Sequence, residues 1–324
     1  MISKESLKTY LWLLWADAPI VNFAVCAALI SYTDVINLHP PRQDLFFTFV
    51  FPLTVPIVIY SLRWRRTTPI EKTVALSVVV GALAFLAFAY FVLPPHPLDD
   101  GWLRTIYEIS AIGNCAILGL HAWQRSRSTF FLFFGPAAAY GLLLENGGII
   151  LGYFRELDYY LYLSPLPAPV ATMSGWITVF YIAISVAQEL QDEIPVLGRT
   201  AVGSALVATS AALLLDLQID PLATAVGFWQ WSELLKGGPM GVPLLNFVAW
   251  GAAVLPFSFL VFRLEMSRSA IVPRLGMEEH RRWLLPRIPL VLVAAAALFF
   301  LTMSVIEGGF DGPTYDILRD ALVK

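Results

Sequence analysis

Long apolar segments recur along the whole chain, and they limit its fold more than any other feature. A helix that crosses a bilayer needs about 20 mostly apolar residues, because the hydrocarbon core is about 30 Å thick. The 324 residues are 58% hydrophobic and only 14% charged, whereas soluble domains carry about a quarter charged residues. We therefore predict an all-α fold, a polytopic transmembrane helix bundle that forms a single integral membrane domain over residues 1–324.

The hydropathy pattern predicts about nine membrane-spanning helices. Their expected bounds are 10–36, 44–62, 70–93, 102–123, 128–151, 167–190, 197–215, 241–264 and 285–306. The connections are short and polar, and no internal repeat is apparent. Cytoplasmic connections of membrane proteins are enriched in Lys and Arg. With the N-terminus inside, fifteen of the 21 Lys and Arg residues fall on the cytoplasmic side, so we predict an inside N-terminus.

A few polar side chains interrupt or end these apolar segments. Glu108, Glu145 and Asp216 do so, Asp220 follows one turn later, and Asn246 lies near the start of the eighth span. An acidic side chain at the centre of a bilayer costs about 2.5–3.5 kcal/mol, so it usually has a function. In the predicted topology all five side chains fall in the outer third of the bilayer.

The two aspartates also have structural interpretations. Asp220 precedes Pro221, and an acid followed by proline is typical of a helix N-cap with proline at the first helical position. In that case a new helix over 221–236 would begin there. Asp216 would then lie at the end of its span as a solvated interfacial acid.

The other three polar residues differ in how well a structural role explains them. Glu108 lies near a helix start, where an acid complements the helix dipole. Asn246 could hydrogen-bond to a neighbouring helix. Glu145 is flanked by apolar residues on both sides, and for it a functional role is the favoured interpretation.

Aromatic residues concentrate in the connections at the same predicted side of the membrane. Tyr153 lies in one connection, and Trp229 and Trp231 lie in another. Trp and Tyr are common at membrane interfaces, which explains them without a functional role. Alternatively, the two tryptophans form a lid whose rings contact a long apolar substrate or stabilise a cation.

Several function classes lack their sequence signatures. The four histidines show no metal-binding spacing such as HxxxH, so we expect neither a metal ion nor another cofactor. There is no phosphate-binding loop, dinucleotide-binding motif or nucleophile elbow. The net charge of −3 argues against nucleic-acid binding. Any chemistry must therefore use carboxyl groups, with bound water as a further reactant.

Residues 213–250 resemble the signature of the membrane-integral carotenoid biosynthesis family, which includes carotenoid 1,2-hydratases and bisanhydrobacterioruberin hydratase. The similar elements are Asp-x3-Asp-Pro from Asp216, Trp-x-Trp from Trp229, and Gly-Val-Pro-x2-Asn ending at Asn246, followed by Trp250. A second block begins at Glu145 and runs through Gly152-Tyr153, with Ile150-Leu151 departing from the family pattern. The resemblance covers roughly residues 140–255.

The resemblance implies a membrane enzyme, a hydratase-type lyase, that adds water to a terminal isoprene double bond of an acyclic carotenoid. Its partners would be a long apolar isoprenoid or carotenoid substrate and the lipid bilayer of a bacterial cytoplasmic membrane. Either Glu145 or Asp216 would donate the proton, and Asp220 and Asn246 would orient water. The residues expected to contact or enclose the substrate are Glu108, Tyr153, Trp229, Trp231, Asn246 and Trp250.

Two other function classes fit parts of the sequence. The Asp216-x3-Asp220 spacing is similar to that of intramembrane prenyltransferases, but residues 37–72 lack the second Asn/Asp-rich motif that those enzymes use. A transporter or an assembly subunit of a membrane complex would also place polar groups between apolar helices. Turnover of a prenyl diphosphate, or copurification of partner chains without turnover, would favour these alternatives.

Overall fold

A computed structural model describes residues 4–37, 53–92, 100–127, 130–156, 159–197, 199–232 and 241–275, and five positions between 292 and 299. The described helices are α1 (Lys4–Ala16), α2 (Ala18–Asn37), α3 (Thr54–Arg63), α4 (Pro69–Phe91), α5 (Asp100–Arg125), α6 (Gly135–Ile150), α7 (Val170–Glu193), α8 (Ala201–Ala225) and α9 (Leu244–Leu275). A π-helical turn, Phe130–Phe134, precedes α6. Two short strands, β1 (Phe154–Glu156) and β2 (Trp229–Trp231), follow α6 and α8.

The predicted helical membrane architecture is confirmed in outline. Four described helices are long and apolar enough to cross a membrane, namely Pro69–Phe88 of α4, all of α7, all of α8, and Leu244–Leu264 of α9. The pair α1 and α2 would form a fifth crossing if it counts as one span. The predicted total of nine spans and the inside N-terminus stay predictions. Most of the ninth span, 285–306, and residues 44–52 of the second lie outside the described residues.

The first predicted helix, 10–36, is broken at Asp17. The two parts, α1 and α2, meet at an angle of 74°. Pro19 lies in the first turn of α2, where its missing N–H costs nothing because the first turn has no intrahelical partners for its donors. The Asp17 carboxylate accepts a hydrogen bond of 3.1 Å from Arg63, which also contacts Glu189 of α7. The break therefore places Asp17 beside Arg63 of α3, which in turn contacts Glu189 of α7.

The prediction that a new helix begins at Pro221 is wrong. α8 continues through Asp216 and Asp220 to Ala225, with Pro221 inside its last turns. A proline inside a helix removes one backbone hydrogen bond and crowds the carbonyl four residues earlier, and α8 continues past Pro221 in spite of this cost. Asp220 is consequently not a cap: it is a buried side chain on a continuous helix, 2% exposed, and Asp216 is completely buried.

α7 lies at the centre of the described bundle, and α5, α6, α8 and α9 pack against it or against each other around it. Every residue of α7 from Ile177 to Ala187 is buried. Phe180 stacks on Phe257 of α9 with ring centroids 4.4 Å apart, and Phe257 stacks in turn on Tyr140 of α6. The hydroxyl of Tyr140 donates to the backbone carbonyl of Ala253 at 3.2 Å. These rings join α6, α7 and α9 beneath the site described next.

Candidate functional site

α6 and α8 end in the same way, and both endings lead into a strand. Gly152 and Gly227 have φ angles of +78° and +75°, which glycine adopts readily and other residues avoid. After each glycine the next N–H bonds back to a carbonyl five residues earlier, Tyr153 to Gly148 at 2.9 Å and Phe228 to Ala223 at 2.8 Å. These are Schellman motifs. Both helices therefore stop at a glycine and turn the chain across the end of the bundle.

The two strands pair as an antiparallel ribbon that roofs this end of the bundle. Phe154 pairs with Trp231, Arg155 with Gln230, and Glu156 with Trp229. Successive side chains of a strand point to opposite faces. The central pair, Arg155 and Gln230, is exposed, whereas Glu156 and Trp229 are buried beneath the ribbon. The roof thus turns a polar face outward and an aromatic and acidic face inward.

A cavity of about 130 Å³ lies beneath the ribbon. Three carboxyl groups line it, those of Glu145, Glu156 and Asp220. Four indole rings line it as well, those of Trp176, Trp229, Trp231 and Trp250. Tyr153 and Asn246 also contribute, and the described residues of the lining include no Lys, Arg or His. The cavity is therefore mostly apolar and is suited to positive rather than negative charge.

The two aspartates of α8 are tied to α9 through one amide group. The side-chain N–H₂ of Asn246 donates to Asp216 at 3.2 Å and also donates to Asp220. Asp220 lines the cavity and also lies beside Trp250. Asp216 lies one turn further from the ribbon and is not part of the lining. Asn246 therefore fixes the Asp220 carboxyl group at the cavity wall, with Asp216 behind it.

Glu145 of α6 is held by a tryptophan of α7. The indole N–H of Trp176 donates to a carboxylate oxygen of Glu145. The Trp176 ring packs against Trp250 of α9, with ring centroids 4.6 Å apart. This close approach needs a small residue on α6: a methyl group at Gly141 would lie 2.9 Å from Cβ of Trp176. Two indoles thus separate the Glu145 side of the cavity from the Asp220 side.

Glu156, which the sequence analysis missed, is the third carboxyl group of the cavity. It belongs to β1 in the connection between α6 and α7 and is 8% exposed. Its Oε2 atom lies 3.3 Å from the hydroxyl oxygen of Thr172. Burial raises the pKa of the Glu156 carboxyl group well above its usual range, and the charge of the nearby Glu145 raises it further. The Thr172 hydroxyl lowers this pKa, but burial and the neighbouring charge outweigh it.

The aromatic residues of the ribbon differ in how their polar groups are used. The indole N–H of Trp231 donates to the Thr224 hydroxyl at 3.0 Å. The indole N–H of Trp229 is buried and has no hydrogen-bond partner among the described residues. Buried donors are nearly always paired. Trp229 therefore offers a donor to whatever occupies the cavity.

Glu108 is buried but does not line the cavity. Its carboxylate accepts a hydrogen bond of 2.6 Å from the backbone N–H of Tyr160. Asn146, beside Glu145 in sequence, has a comparable role: its side-chain oxygen accepts from the N–H of Ala168 at 3.0 Å. Both side chains hold the connection between α6 and α7 against the bundle. The predicted contact of Glu108 with substrate stays a prediction, and its position favours a structural role.

The site is built from two similar units, a repeat that was not recognised in the sequence. Glu145 precedes Gly152 by seven positions, and Asp220 precedes Gly227 by seven positions. The pairing of the two strands has the same two-fold symmetry. Arg155 and Gln230 form the central pair, and a two-fold rotation about this pair brings Phe154 to the position of Trp229 and Glu156 to that of Trp231. Each unit thus consists of an acidic helix, a Schellman glycine and a strand.

The helices that follow the strands continue the repeat. Pro169, Thr172 and Trp176 begin α7 with the spacing Pro-x2-Thr-x3-Trp. α9 begins with the same spacing, Pro-x2-Asn-x3-Trp, from Pro243 through Asn246 to Trp250. In both units the tryptophan lies beside a carboxyl group of the cavity, that of Glu145 for Trp176 and that of Asp220 for Trp250. The residue four positions before each tryptophan, Thr172 or Asn246, hydrogen-bonds to an acidic side chain. Weak sequence identity between the units hides this pattern, and the shared spacing is the signal that reveals it.

Comparison with known proteins gives one match. The family described as "Carotenoid biosynthesis protein" matches residues 105–313, a region that includes every residue of the cavity lining. Comparisons with curated proteins and with solved structures gave no match.

Proposed function

Because this chain belongs to the carotenoid biosynthesis protein family, we propose that it is a membrane enzyme that adds water to a terminal isoprene double bond of an acyclic carotenoid end group. One observation carries this proposal: carboxyl groups and indole rings from both repeat units line a single apolar cavity. The same carboxyl groups and indole rings were predicted to act in hydration, apart from those of Glu156 and Trp176.

Hydration of an isolated double bond requires three things that the cavity offers. A carboxylic acid in apolar surroundings can remain protonated and donate to the alkene. The resulting tertiary cation is stabilised by aromatic faces, here those of Trp176, Trp229 and Trp250, and by neighbouring carboxylates. A second carboxylate accepts the proton that the attacking water loses. The described part of the lining contains no basic residue that would oppose the cation.

The acidic residues differ in whether their carboxyl groups can reach a bound end group. Glu145 and Asp220 line the cavity and can contact an end group directly. Asp216, the other predicted donor, acts through Asn246 and Asp220 instead. Asn246 donates its amide hydrogens to these two aspartates, so in this proposal it positions Asp220, which in turn orients water.

The size of the cavity supports modification at the end of a chain. About 130 Å³ accommodates an isoprene end group with water but not an entire carotenoid. The rest of the polyene would then lie along apolar helix surfaces or in lipid. Such a substrate never has to leave the bilayer for its end group to meet the carboxyl groups.

The membrane that contains the protein, and the orientation of the protein in it, are part of the proposal. We place the ribbon on the outer side of a bacterial cytoplasmic membrane, with about nine crossings and an inside N-terminus. Water then reaches the cavity from the polar face of the ribbon. A cysteine introduced at the exposed Gln230 should react with a membrane-impermeant thiol reagent in intact cells, and one at the exposed Arg66 should react only after lysis. The reverse labelling pattern would contradict this orientation.

The decisive experiment is expression in a bacterial host that makes lycopene or γ-carotene, followed by mass analysis of the pigments. We expect a product heavier by one water with an unchanged chromophore spectrum. The Glu145→Gln variant should lose this product, and the variant at the exposed Glu5 (Glu5→Gln) should retain it. Unchanged pigments in cells that contain the folded protein would count against hydration of these two substrates.

Transport is the second candidate, because one observation favours it. Parallel internal repeats are common in transporters, and α6–α7 and α8–α9 form such a repeat here. Against transport, the carboxyl groups lie at the helix ends beneath a ribbon. A pigment or lipid that moves between leaflets without chemical change, in a manner that depends on Asp220, would support transport over hydration.

A further inference from the structure

The hydroxyl group of Thr172 is the hydrogen-bond partner of Glu156. Its oxygen lies 3.0 Å from the carbonyl oxygen of Pro169 and 3.3 Å from Oε2 of Glu156. A hydroxyl has one hydrogen to donate, and a carbonyl can only accept. The Pro169 carbonyl and Glu156 therefore share that hydrogen, and the contact to Pro169 is the shorter one. A shared hydroxyl donor stabilises the ionised form of Glu156 less than a full N–H donor would.

The other carboxyl groups of the site meet different partners. Glu145 accepts from the indole N–H of Trp176, and Asp216 and Asp220 accept from the amide of Asn246. N–H donors favour the ionised form of a carboxyl group. Among the described side chains, none donates an N–H to Glu156. Among the carboxyl groups that line the cavity, Glu156 has a hydroxyl as its partner, whereas Glu145 and Asp220 accept from N–H donors.

The second unit of the repeat shows that Glu156 is a specific addition. At the equivalent position of β2 the chain has Trp231, whose indole points to Thr224 of its own unit. Glu145 and Asp220, in contrast, occupy equivalent positions and are both acidic. Glu156 is thus the group that makes the two halves of the cavity chemically different.

We propose that Glu156 is the proton donor of the hydration reaction and that Glu145 is the base, an assignment that rests on the proposed function. The O–H bond of Glu156 breaks as a C–H bond forms at the less substituted carbon of the terminal double bond, which leaves a tertiary cation at the other carbon. The water oxygen forms a C–O bond with the cation, and the proton that water loses goes to Glu145. Transfer of that proton from Glu145 to Glu156 restores the starting state, so the net change is the addition of one water.

The surroundings of Glu156 are consistent with this cycle. Glu145 of α6, Asp220 of α8 and Tyr107 of α5 interact with it electrostatically. Tyr159 of the same connection also interacts with Glu156 electrostatically, and Thr172 of α7 is the hydrogen-bond partner of Glu156. Trp229 lies opposite Glu156 in the ribbon, and its indole N–H has no hydrogen-bond partner within the described part of the chain. Water bound to that N–H would lie between Glu156 and the cavity.

Infrared spectroscopy of the purified protein tests the proton directly. At neutral pH we expect a carboxylic acid C=O band that shifts in D₂O and is absent from Glu156→Gln. Glutamine keeps the size of the side chain and can still donate to Thr172, so the fold should survive. The Glu5→Gln variant is the matched control and should keep the band. A band that persists unchanged in Glu156→Gln would overturn the assignment.

Pigment analysis tests the role in turnover. Loss of a general acid typically costs 10²–10⁴-fold, so Glu156→Gln should lower product formation at least about 100-fold. Glu156→Asp, which restores an acid, should recover part of it. Wild-type turnover in Glu156→Gln would exclude Glu156 as donor. If the wild type itself hydrates none of the carotenoids, the proposed function fails, and the infrared band then decides separately whether Glu156 is a buried acid.

Discussion

The indole N–H of Trp176 on α7 donates a hydrogen bond to the carboxylate of Glu145 on α6. Trp176 also stacks on Trp250 of the second repeat unit. One side chain therefore donates to a cavity acid and packs the two units against each other. These two contributions can be separated by substitution.

Trp176→Phe should keep the ring contact and remove the N–H donor. A hydrogen bond to a charged group contributes about 1.5–3 kcal/mol, which corresponds to roughly a 10- to 100-fold loss of turnover if Glu145 acts as a carboxylate. Turnover in membranes is the measurement. Trp12→Phe, at an exposed position, should leave turnover unchanged. Equal turnover in both variants would mean that the Glu145 hydrogen bond has no part in the reaction.

Asn246→Leu should destabilise the protein by about 3 kcal/mol, because it leaves the buried Asp216 and Asp220 without their shared donor. Thermal unfolding in detergent measures the effect. Combination with Asp216→Leu should give a smaller loss than the sum of the two single variants, since the residues are in contact. Additive losses would show that the Asn246–Asp216 hydrogen bond does not contribute to stability.

Gly148→Ala should disturb the cavity through Phe154. A methyl group at Gly148 would lie 2.4 Å from Cε1 of the Phe154 ring, so the ring would have to move, and it lines the cavity. We expect a loss of about 1–3 kcal/mol in the free energy of unfolding, with reduced turnover. Gly251→Ala is the control, because a methyl group there meets nothing within 4 Å. Comparable behaviour of the two variants would show that Phe154 is not held in this position.

The pH dependence of stability should reveal Glu156. Because its folded-state pKa is raised from 4.5, the folded protein binds more protons than the unfolded chain above that pH. The contribution of Glu156 is therefore fully present below pH 4.5 and is lost as the pH rises toward the folded-state pKa. The stability of the wild type relative to Glu156→Gln should fall over that range in thermal unfolding. A constant difference between the two proteins would contradict a raised pKa.

Hydropathy predicted the bounds of several membrane-spanning helices to within a few residues, because the thickness of the bilayer fixes their length. It also placed Glu145, Asp220 and Asn246 at a similar depth, and the structure brings them to one cavity. Depth does not determine lateral position, which is why Glu108, predicted at the same level, lies instead against Tyr160.

Other features could not be obtained from hydropathy. Strands of three residues are too short to give a periodic signal, so the ribbon and the inward side chain of Glu156 were missed. The Asp220-Pro221 pair follows a local rule for helix starts, but burial of both aspartates against Asn246 overrides it. The repeat is visible only as equal spacing of different residues, such as Thr172 and Asn246.

The symmetric register of the ribbon is the arrangement that two identical chains would adopt around a two-fold axis. In such a homodimer the position of Glu156 and the position of Trp231 would necessarily carry the same residue. Both would be acids or both would be indoles, and the cavity would have no preferred direction for proton flow. Covalent linkage of the two units in one polypeptide removes that constraint. It allows one unit to carry an acid, Glu156, where the other carries an indole, Trp231.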